Sequence, residues 1–137
     1  MALLIGWLLA GALAIFHHGC LRGLDRLGGR DVRRPNLTLI GVFIGLLTVH
    51  TIEILLFAGV YRVLLNYPSL GTLAGEFDGS WEGLIYFSGI NFVTLGYTQI
   101  EAEGPMRLIG MMQSLAGFML LTWSATFIYS VWSRAFR

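Results

Sequence analysis

The chain has 137 residues, of which 55% are hydrophobic, and nine basic and eight acidic residues give it a formal net charge of +1. A soluble domain has about 45–50% apolar residues, so this composition indicates a membrane protein. A charge this close to neutral argues against a polyanionic partner such as nucleic acid. The single cysteine, Cys20, excludes an intrachain disulfide framework, and we interpret it as a small residue that faces the membrane.

Three apolar segments are long enough to cross a bilayer, which takes about 20 residues in a helix. They cover residues 2–21, 37–61 and 106–132. The first could also be a signal peptide, since an Ala-Leu-Ala run at residues 12–14 resembles a cleavage site. A signal peptide begins with a basic region, however, and no charged residue precedes Arg22. We therefore expect the first segment to be a retained helix.

The distribution of charge predicts how the chain lies in the cell membrane. Arginines cluster between the first two spans and at the C-terminus, whereas acidic residues occupy the stretch before the third span. The positive-inside rule then places the linker and the C-terminus in the cytoplasm and the N-terminus outside. The arginines are Arg22, Arg26, Arg30, Arg33, Arg34, Arg134 and Arg137, and the acidic residues are Glu76, Asp78, Glu82, Glu101 and Glu103.

A shorter apolar segment at residues 80–93 follows a loop predicted over residues 62–79. Ser80 can cap a helix that begins at Trp81, and the helix is about a dozen residues long. That length is too short to cross a membrane and suits a re-entrant helix. The segment Thr-Leu-Gly-Tyr-Thr at residues 94–98 comes next, and Pro105 suits the first turn of the third span.

A re-entrant helix followed by extended chain leaves backbone polar groups at membrane depth. Such backbone is tolerated only where protein buries it or where it lines a water-filled cavity. Three spans of one chain cannot surround it, whereas several copies around an axis can. Carbonyl groups that point toward that axis would suit a dehydrated monovalent cation, so the sequence predicts a symmetric oligomeric pore.

The same residues resemble the potassium-channel pore family, whose filter signature is Thr-Val-Gly-Tyr-Gly. Tyr-Phe-Ser at residues 86–88, followed by Thr-Leu-Gly-Tyr at residues 94–97, looks like the pore helix and filter of that family. The likeness covers roughly residues 37–132 and is closest to small bacterial ion channel proteins with two membrane helices and a pore loop. Further shared features are His50 with Glu53, Arg107-Leu108 with Gly110, and Trp123-Ser124.

This resemblance implies an all-α membrane protein with three spanning helices, a re-entrant pore helix and a filter, assembled as a homotetramer. It implies a channel and no enzyme, with membrane lipids and monovalent cations as partners and potassium ions in place of any cofactor. The carbonyls of Thr94, Leu95, Gly96 and Tyr97 would bind those ions. The segments are an N-terminal helix (1–21), an arginine-rich linker (22–36), a pore domain (37–132, with outer helix 37–61, pore helix 80–93, filter 94–98 and inner helix 106–132) and a cytoplasmic tail (133–137).

The filter departs from the family signature at its outer end. Thr98 stands where the family has its second glycine, and Gln99 where it usually has Asp. A β-branched residue resists left-handed backbone geometry, so we expect Thr98 to adopt another geometry, with its hydroxyl at the mouth beside Gln99. The outermost ion site would then change, which keeps a weakly selective or non-conducting filter as an alternative. Trp81 and Tyr86 are candidate braces for the filter.

His50 and Glu53 lie on one face of the second span, three residues apart. Ionisable groups in a membrane are usually functional, so the pair is either a proton-sensitive gate or a structural hydrogen bond. Together with His17 and His18, His50 also raises the possibility of a haem or other redox site. We expect His17 a few residues from the cytoplasmic end of its span and His50 about fourteen residues into the next span, or about 20 Å deep at 1.5 Å per residue. This difference in depth argues against a shared haem, and we expect His17 and His18 at the interface.

Three further residues are candidates for pore function. Gly117 lies midway along the third span, where it is either a hinge of the inner helix or a site of close packing. Glu101 and Glu103 would concentrate cations at the outer mouth or form a solvated loop. We identify no cytoplasmic ligand-binding domain and no run of regularly spaced arginines within a span. The sequence therefore supports neither nucleotide gating nor a voltage-sensor helix.

Overall fold

The computed structural model describes residues 1–27 and 34–136. The described residues form four α-helices and two short strands, in the order α1 (Ala2–Leu27), α2 (Pro35–Leu64), β1 (Thr72–Gly75), α3 (Trp81–Phe92), β2 (Ile100–Glu103) and α4 (Met106–Ala135). A short 3-10 helix, Pro68–Leu70, lies between α2 and β1. The helices α1, α2 and α4 are long and apolar enough to cross a membrane. The predicted cytoplasmic residues Arg30, Arg33 and Arg137 lie outside the described part of the chain.

The long helices extend beyond the apolar segments that predicted them. α1 continues to Leu27 rather than ending at residue 21, and α2 and α4 end at Leu64 and Ala135. Arginine side chains near helix ends reach toward the headgroups while their stems stay on apolar surface. Such a helix can therefore continue past its apolar segment into the headgroup region. A prediction based on apolar residues then underestimates the length of the helix.

The short helix α3 is wedged between α2 and α4, and these contacts hold its apolar face. Leu84, Phe87 and Phe92 are buried in the main hydrophobic cluster with Phe57 and Ile109. The Ser80 hydroxyl accepts a hydrogen bond from the Gly83 N–H at 3.0 Å, which confirms the predicted N-cap. α3 thus begins at a capped end and is fixed along its length by both neighbouring spans.

The loop before this cap is also ordered by a local hydrogen bond. The Asp78 carboxylate accepts the Ser80 N–H at 2.9 Å. Hydrogen bonds from Ser80, from the side chain first and then from the backbone, lower the pKa of Asp78. Asp78 therefore carries its charge over the physiological range beside the start of α3.

The predicted all-α membrane fold is confirmed, and a short two-stranded antiparallel sheet adds local structure to the loop predicted over residues 62–79. β1 pairs with β2 in the register Thr72↔Glu103 to Gly75↔Ile100. Gly75 has φ 74°, and a Cβ atom there would overlap the Gln99 carbonyl oxygen, so only glycine fits this position. Four-residue strands are too short for alternation to reveal them. The sheet ties together the two chain segments that flank α3 and residues 94–98.

Candidate functional site

The predicted filter begins in a Schellman turn at the end of α3. The Thr94 N–H donates to the Asn91 carbonyl at 3.0 Å, and the Leu95 N–H donates to the Ile90 carbonyl at 3.1 Å. This hydrogen-bond pair places Thr94 at the first position after the helix cap, which favours glycine. Thr94 has φ 56°, and a left-handed non-glycine residue costs roughly 1–2 kcal/mol. The left-handed non-glycine residue of this segment is therefore Thr94 rather than Thr98.

Thr98 avoids the left-handed region, as predicted, since Thr94 is the one non-glycine residue with positive φ among those described. The predicted position of its hydroxyl is wrong. That hydroxyl accepts the Ile100 N–H at 3.0 Å and lies 3.2 Å from the Ile100 carbonyl, to which it donates. It therefore caps the turn into β2 and does not face the mouth beside Gln99.

These two threonines should respond to glycine substitution in opposite ways. We expect Thr94→Gly to raise the free energy of unfolding by up to about 1 kcal/mol, because it relieves left-handed strain. We expect Thr98→Gly to lower it by about 1 kcal/mol, because two hydrogen bonds to Ile100 are lost. Thermal unfolding of the purified protein measures both. A stabilising Thr98→Gly would place the strain at Thr98 after all.

Residues 93–97 are exposed in the single chain. Leu95 and Tyr97 are 63% and 77% exposed. Gly96 has φ 72°, and a Cβ atom at this position would meet no described atom within 4 Å. A cavity of about 440 Å³ lies behind the segment, between it, α3 and α4. The chain therefore presents an irregular backbone segment that none of its own described residues covers.

The candidate braces and mouth residues occupy the same end of the molecule. Trp81 is 54% exposed and lies under the Arg62 guanidinium at 5.8 Å, and Tyr86 is 46% exposed. Neither ring is buried against residues 94–98 of its own chain. Glu101 and Glu103 are exposed on β2, in a region that also carries exposed Gln99.

A buried polar network that the sequence analysis missed holds α3 to both neighbouring spans. The Tyr61 hydroxyl donates to Gln113 Oε1 at 2.6 Å, and Gln113 Nε2 donates to the Ser88 hydroxyl at 2.9 Å. Ser88 in turn donates to the Ile54 carbonyl at 2.8 Å. Tyr61, Ser88 and Gln113 are all fully buried. A glutamine in the middle of an apolar span was the available signal, since such residues pair between helices.

Gly117 is a site of close packing between α4 and the end of α3. A Cβ atom at this position would overlap the Phe92 carbonyl oxygen and lie 2.8 Å from the Phe92 carbonyl carbon. The structure thus gives direct support to one of the two roles considered for Gly117. The contact lies two residues before Thr94, so it fixes the position at which residues 94–98 begin.

The histidines lie together, which corrects the expectation that His17 is interfacial and far in depth from His50. His17 is fully buried, and its ring stacks on that of His50 with centroids 5.5 Å apart. The depth estimate failed because α1 continues to Leu27, so His17 lies about 15 Å from the helix end. His18 remains exposed and contacts Trp123.

Glu53 joins the two histidines, and Ser124 closes the group from α4. His17 Nδ1 and His50 Nδ1 each lie 2.8 Å from a different oxygen of the Glu53 carboxylate. The Ser124 hydroxyl lies 3.3 Å from His17 Nε2 and 3.0 Å from His50 Nε2. The predicted contact between His50 and Glu53 is therefore present, as part of a larger ring of four side chains.

The contacts within this group of four side chains have hydrogen-bond distances. The potential ligand atoms of His17, His50 and Glu53 lie within 4.8 Å of one another. Each imidazole contacts its own carboxylate oxygen, and the two stacked imidazole planes differ by only 17°. Stacked in this way, the two imidazoles do not face each other across the space that the porphyrin of a haem would need.

Comparison with protein families places the chain among membrane channels. The ion channel family model matches residues 49–134, which is more than half of the chain. The chain therefore belongs to the ion channel family, and its three apolar helices agree with a membrane location. Searches of curated proteins and of solved structures found no match. The matched region contains α3, residues 94–98 and Gly117, whereas α1 and His17 precede it.

Proposed function

We propose that four copies of this chain assemble around an axis into a potassium-conducting pore. The observation that carries the proposal is the exposed, irregular backbone of residues 94–97 at the end of a short helix between two spans. Backbone of this kind at membrane depth needs cover from protein or a water-filled cavity. Neighbouring copies would supply both, and the carbonyls of Thr94, Leu95, Gly96 and Tyr97 would replace the hydration shell of the ion.

Helix α3 supports cation conduction through its orientation along the chain. Its C-terminal end leads directly into residues 94–98, and a helix C-terminus carries partial negative charge. Four such ends around an axis would favour a cation on the inner side of the filter. The exposed carboxylates of Glu101 and Glu103 would raise the cation concentration at the outer side, with the N-terminus outside and the C-terminus in the cytoplasm.

Assembly and conduction are tested on the purified full chain. We expect a tetramer by mass measurement in mild detergent, and a reversal potential near that of potassium in bilayers under opposed potassium and sodium gradients. Monomers or dimers alone would overturn the assembly. A tetramer with equal sodium and potassium permeability would support the second candidate, a weakly selective channel, which the departure at Thr98 favours. Absorbance in the Soret region would instead indicate a redox protein.

A matched pair of glycines tests whether residues 94–97 form the filter. Gly96 and Gly79 have φ 72° and 80°, and a Cβ atom at either meets nothing within 4 Å. Alanine therefore introduces similar strain, roughly 1–2 kcal/mol, at both positions. We expect Gly96→Ala to abolish potassium-selective current and Gly79→Ala to keep it, as measured in bilayer recordings. Equal effects of the two substitutions would remove residues 94–97 from the filter.

A further inference from the structure

The four side chains of the buried ring bring together three helices. His17 comes from α1, His50 and Glu53 come from α2, and Ser124 comes from α4. His17 and Glu53 are fully buried, Ser124 is 5% exposed, and the His50 side chain is 14% exposed. The ring is thus closed off from bulk solvent except along one edge of His50.

Counting hydrogens shows how many protons the ring needs. Its four contacts run from Glu53 to His17, to Ser124, to His50 and back to Glu53. Four hydrogen bonds require four hydrogens. Two neutral imidazoles, one hydroxyl and an ionised carboxylate supply only three. One added proton completes the ring, and it also brings the net charge of the ring to zero.

The added proton can lie on an imidazole or on the carboxylate. If it lies on a histidine, the imidazolium pairs with the Glu53 carboxylate. If it lies on Glu53, the carboxyl donates to one neutral imidazole, whose other nitrogen donates to Ser124. Both arrangements keep four hydrogen bonds and zero net charge. Removing the proton leaves an uncompensated buried negative charge, which is strongly unfavourable in a low-dielectric interior.

Few other titratable groups face the ring from the helices packed around it. Cys20 of α1 interacts electrostatically with Glu53. His18 of α1 contacts Trp123, which also contacts His17. Tyr61 is two turns further along α2 and is bound to Gln113. Two aromatic side chains also cover the four-residue ring: Phe92 from α3 and Trp123 from α4. The ring centroids of Phe92 and His50 lie 5.5 Å apart. Neither of these two aromatic residues titrates.

We propose that His17, His50, Glu53 and Ser124 form a binding site for a single proton, which fastens α1 and α4 to α2 while it is bound. The location of this proton site links it to the proposed pore. Ser124 lies two turns beyond Gly117 on α4, and His50 contacts Phe92 at the end of α3. Loss of the proton weakens the ring contact of α4, the predicted inner helix, close to the residues that lead into the filter.

Thermal unfolding of the full chain in lipid nanodiscs at pH ~7 to ~9 tests the proton site without any need for conduction. Both ring histidines of the unfolded chain release their protons near pH ~6.5, whereas the folded ring keeps one. Above that pH the folded state therefore binds more protons than the unfolded state, and the stability that the ring contributes is lost as the pH rises. We expect the unfolding temperature of the wild type to fall by about 5 °C or more across this range.

Glu53→Gln is the decisive variant because it imitates the protonated ring. A glutamine amide accepts from one imidazole and donates to the other, so four hydrogen bonds and zero charge persist with no proton to lose. We expect Glu53→Gln to fold with an unfolding temperature that changes little with pH, and Glu53→Ala to be unstable throughout. A parallel fall with pH in the wild type and in Glu53→Gln would overturn the proposal.

Ser124→Ala and Ser130→Ala form a matched pair on α4. Within the described part of the chain, the Ser130 hydroxyl binds only the Phe127 carbonyl of its own helix, so Ser130→Ala reports the general effect of losing a serine. We expect Ser124→Ala to lower the unfolding temperature by about 5 °C or more relative to Ser130→Ala. Equal temperatures for the two variants would show that Ser124 does not close the ring, and the proposal would fail.

Isotope-edited NMR of the wild type gives an answer even where variants fail to fold. Nitrogen shifts of the three histidines, with His18 as the exposed reference, and the carboxyl carbon shift of Glu53 report every proton position. At pH ~7 we expect His17, His50 and Glu53 together to carry one added proton, beyond those of two neutral imidazoles and an ionised carboxylate. Two neutral imidazoles beside an ionised Glu53 would contradict the proposal directly.

The effect on the pore rests on the channel function proposed above. In bilayer recordings we expect the open probability of the wild type to rise with pH, because α4 is released, and that of Glu53→Gln to stay constant. A protein that conducts no ions would contradict the channel function and would leave the thermal and NMR results to decide the proton site. A conducting wild type without pH dependence would refute the link between the ring and the pore.

Discussion

Gly117→Ala is expected to abolish the ion conduction proposed above and to destabilise the fold by about 3 kcal/mol, the upper end of the usual cost of overpacking. The added methyl group would overlap the Phe92 carbonyl oxygen. A backbone carbonyl cannot turn aside as a flexible side chain can, so α3 and α4 must move apart. That movement displaces Thr94, which follows Phe92 by two residues and begins the proposed filter. Bilayer conductance and thermal unfolding measure the two effects.

Gly110→Ala is the matched control for this substitution, because it lies on the same helix. A Cβ atom at Gly110 would lie 3.8 Å from the Tyr61 hydroxyl and 3.9 Å from the Asn91 side chain, which are ordinary contacts. We expect Gly110→Ala to leave stability within about 0.5 kcal/mol of the wild type, or slightly higher, since alanine favours a helix over glycine. If the Gly117→Ala and Gly110→Ala variants have equal conductance, the close packing at Gly117 is not needed for conduction.

Separating Tyr61 from Gln113 is expected to have the next largest effect. Tyr61→Phe leaves the Gln113 carbonyl oxygen without its donor, and Gln113→Leu leaves the Tyr61 hydroxyl without its acceptor. Each orphaned buried group costs about 1–3 kcal/mol, and neither can turn to water at these fully buried positions. Gln113→Leu should have the larger effect, because it also removes the hydrogen bonds to Ser88 that hold α3.

The double variant distinguishes this pairing from simple loss of packing. We expect Tyr61→Phe combined with Gln113→Leu to be less destabilising than the sum of the single changes by about 1 kcal/mol or more, because neither the Tyr61 hydroxyl nor the Gln113 amide then remains without the other. Tyr129→Phe is the control, since Tyr129 lies on α4 and is 67% exposed. It should be nearly neutral in thermal unfolding. Strict additivity of the two buried changes would show that the hydroxyl and the amide do not interact energetically.

The amino-acid sequence by itself determined the parts of this protein that depend on local composition and length. Three apolar segments predicted three spanning helices, and a short capped segment before Thr-Leu-Gly-Tyr predicted a helix with an irregular segment after it. These features follow from the thickness of a bilayer and from hydrogen bonding near Ser80 and Thr94, which involve residues close together in the chain. The family match to residues 49–134 supports the same region.

The tertiary structure alone decided how distant polar groups pair. Nothing local to His17 indicates that it meets Glu53 and Ser124, because those contacts depend on where α1 ends and how it packs on α4. The pairing of Tyr61 with Gln113 and the approach of Phe92 to Gly117 depend likewise on how α3 sits between two spans. Sequence periodicity reports which face of a helix is apolar, whereas the partner of a buried polar side chain depends on the relative depth and rotation of two helices. Those two quantities are set by packing of the whole chain, and in this protein they join α1 to α2 and α4.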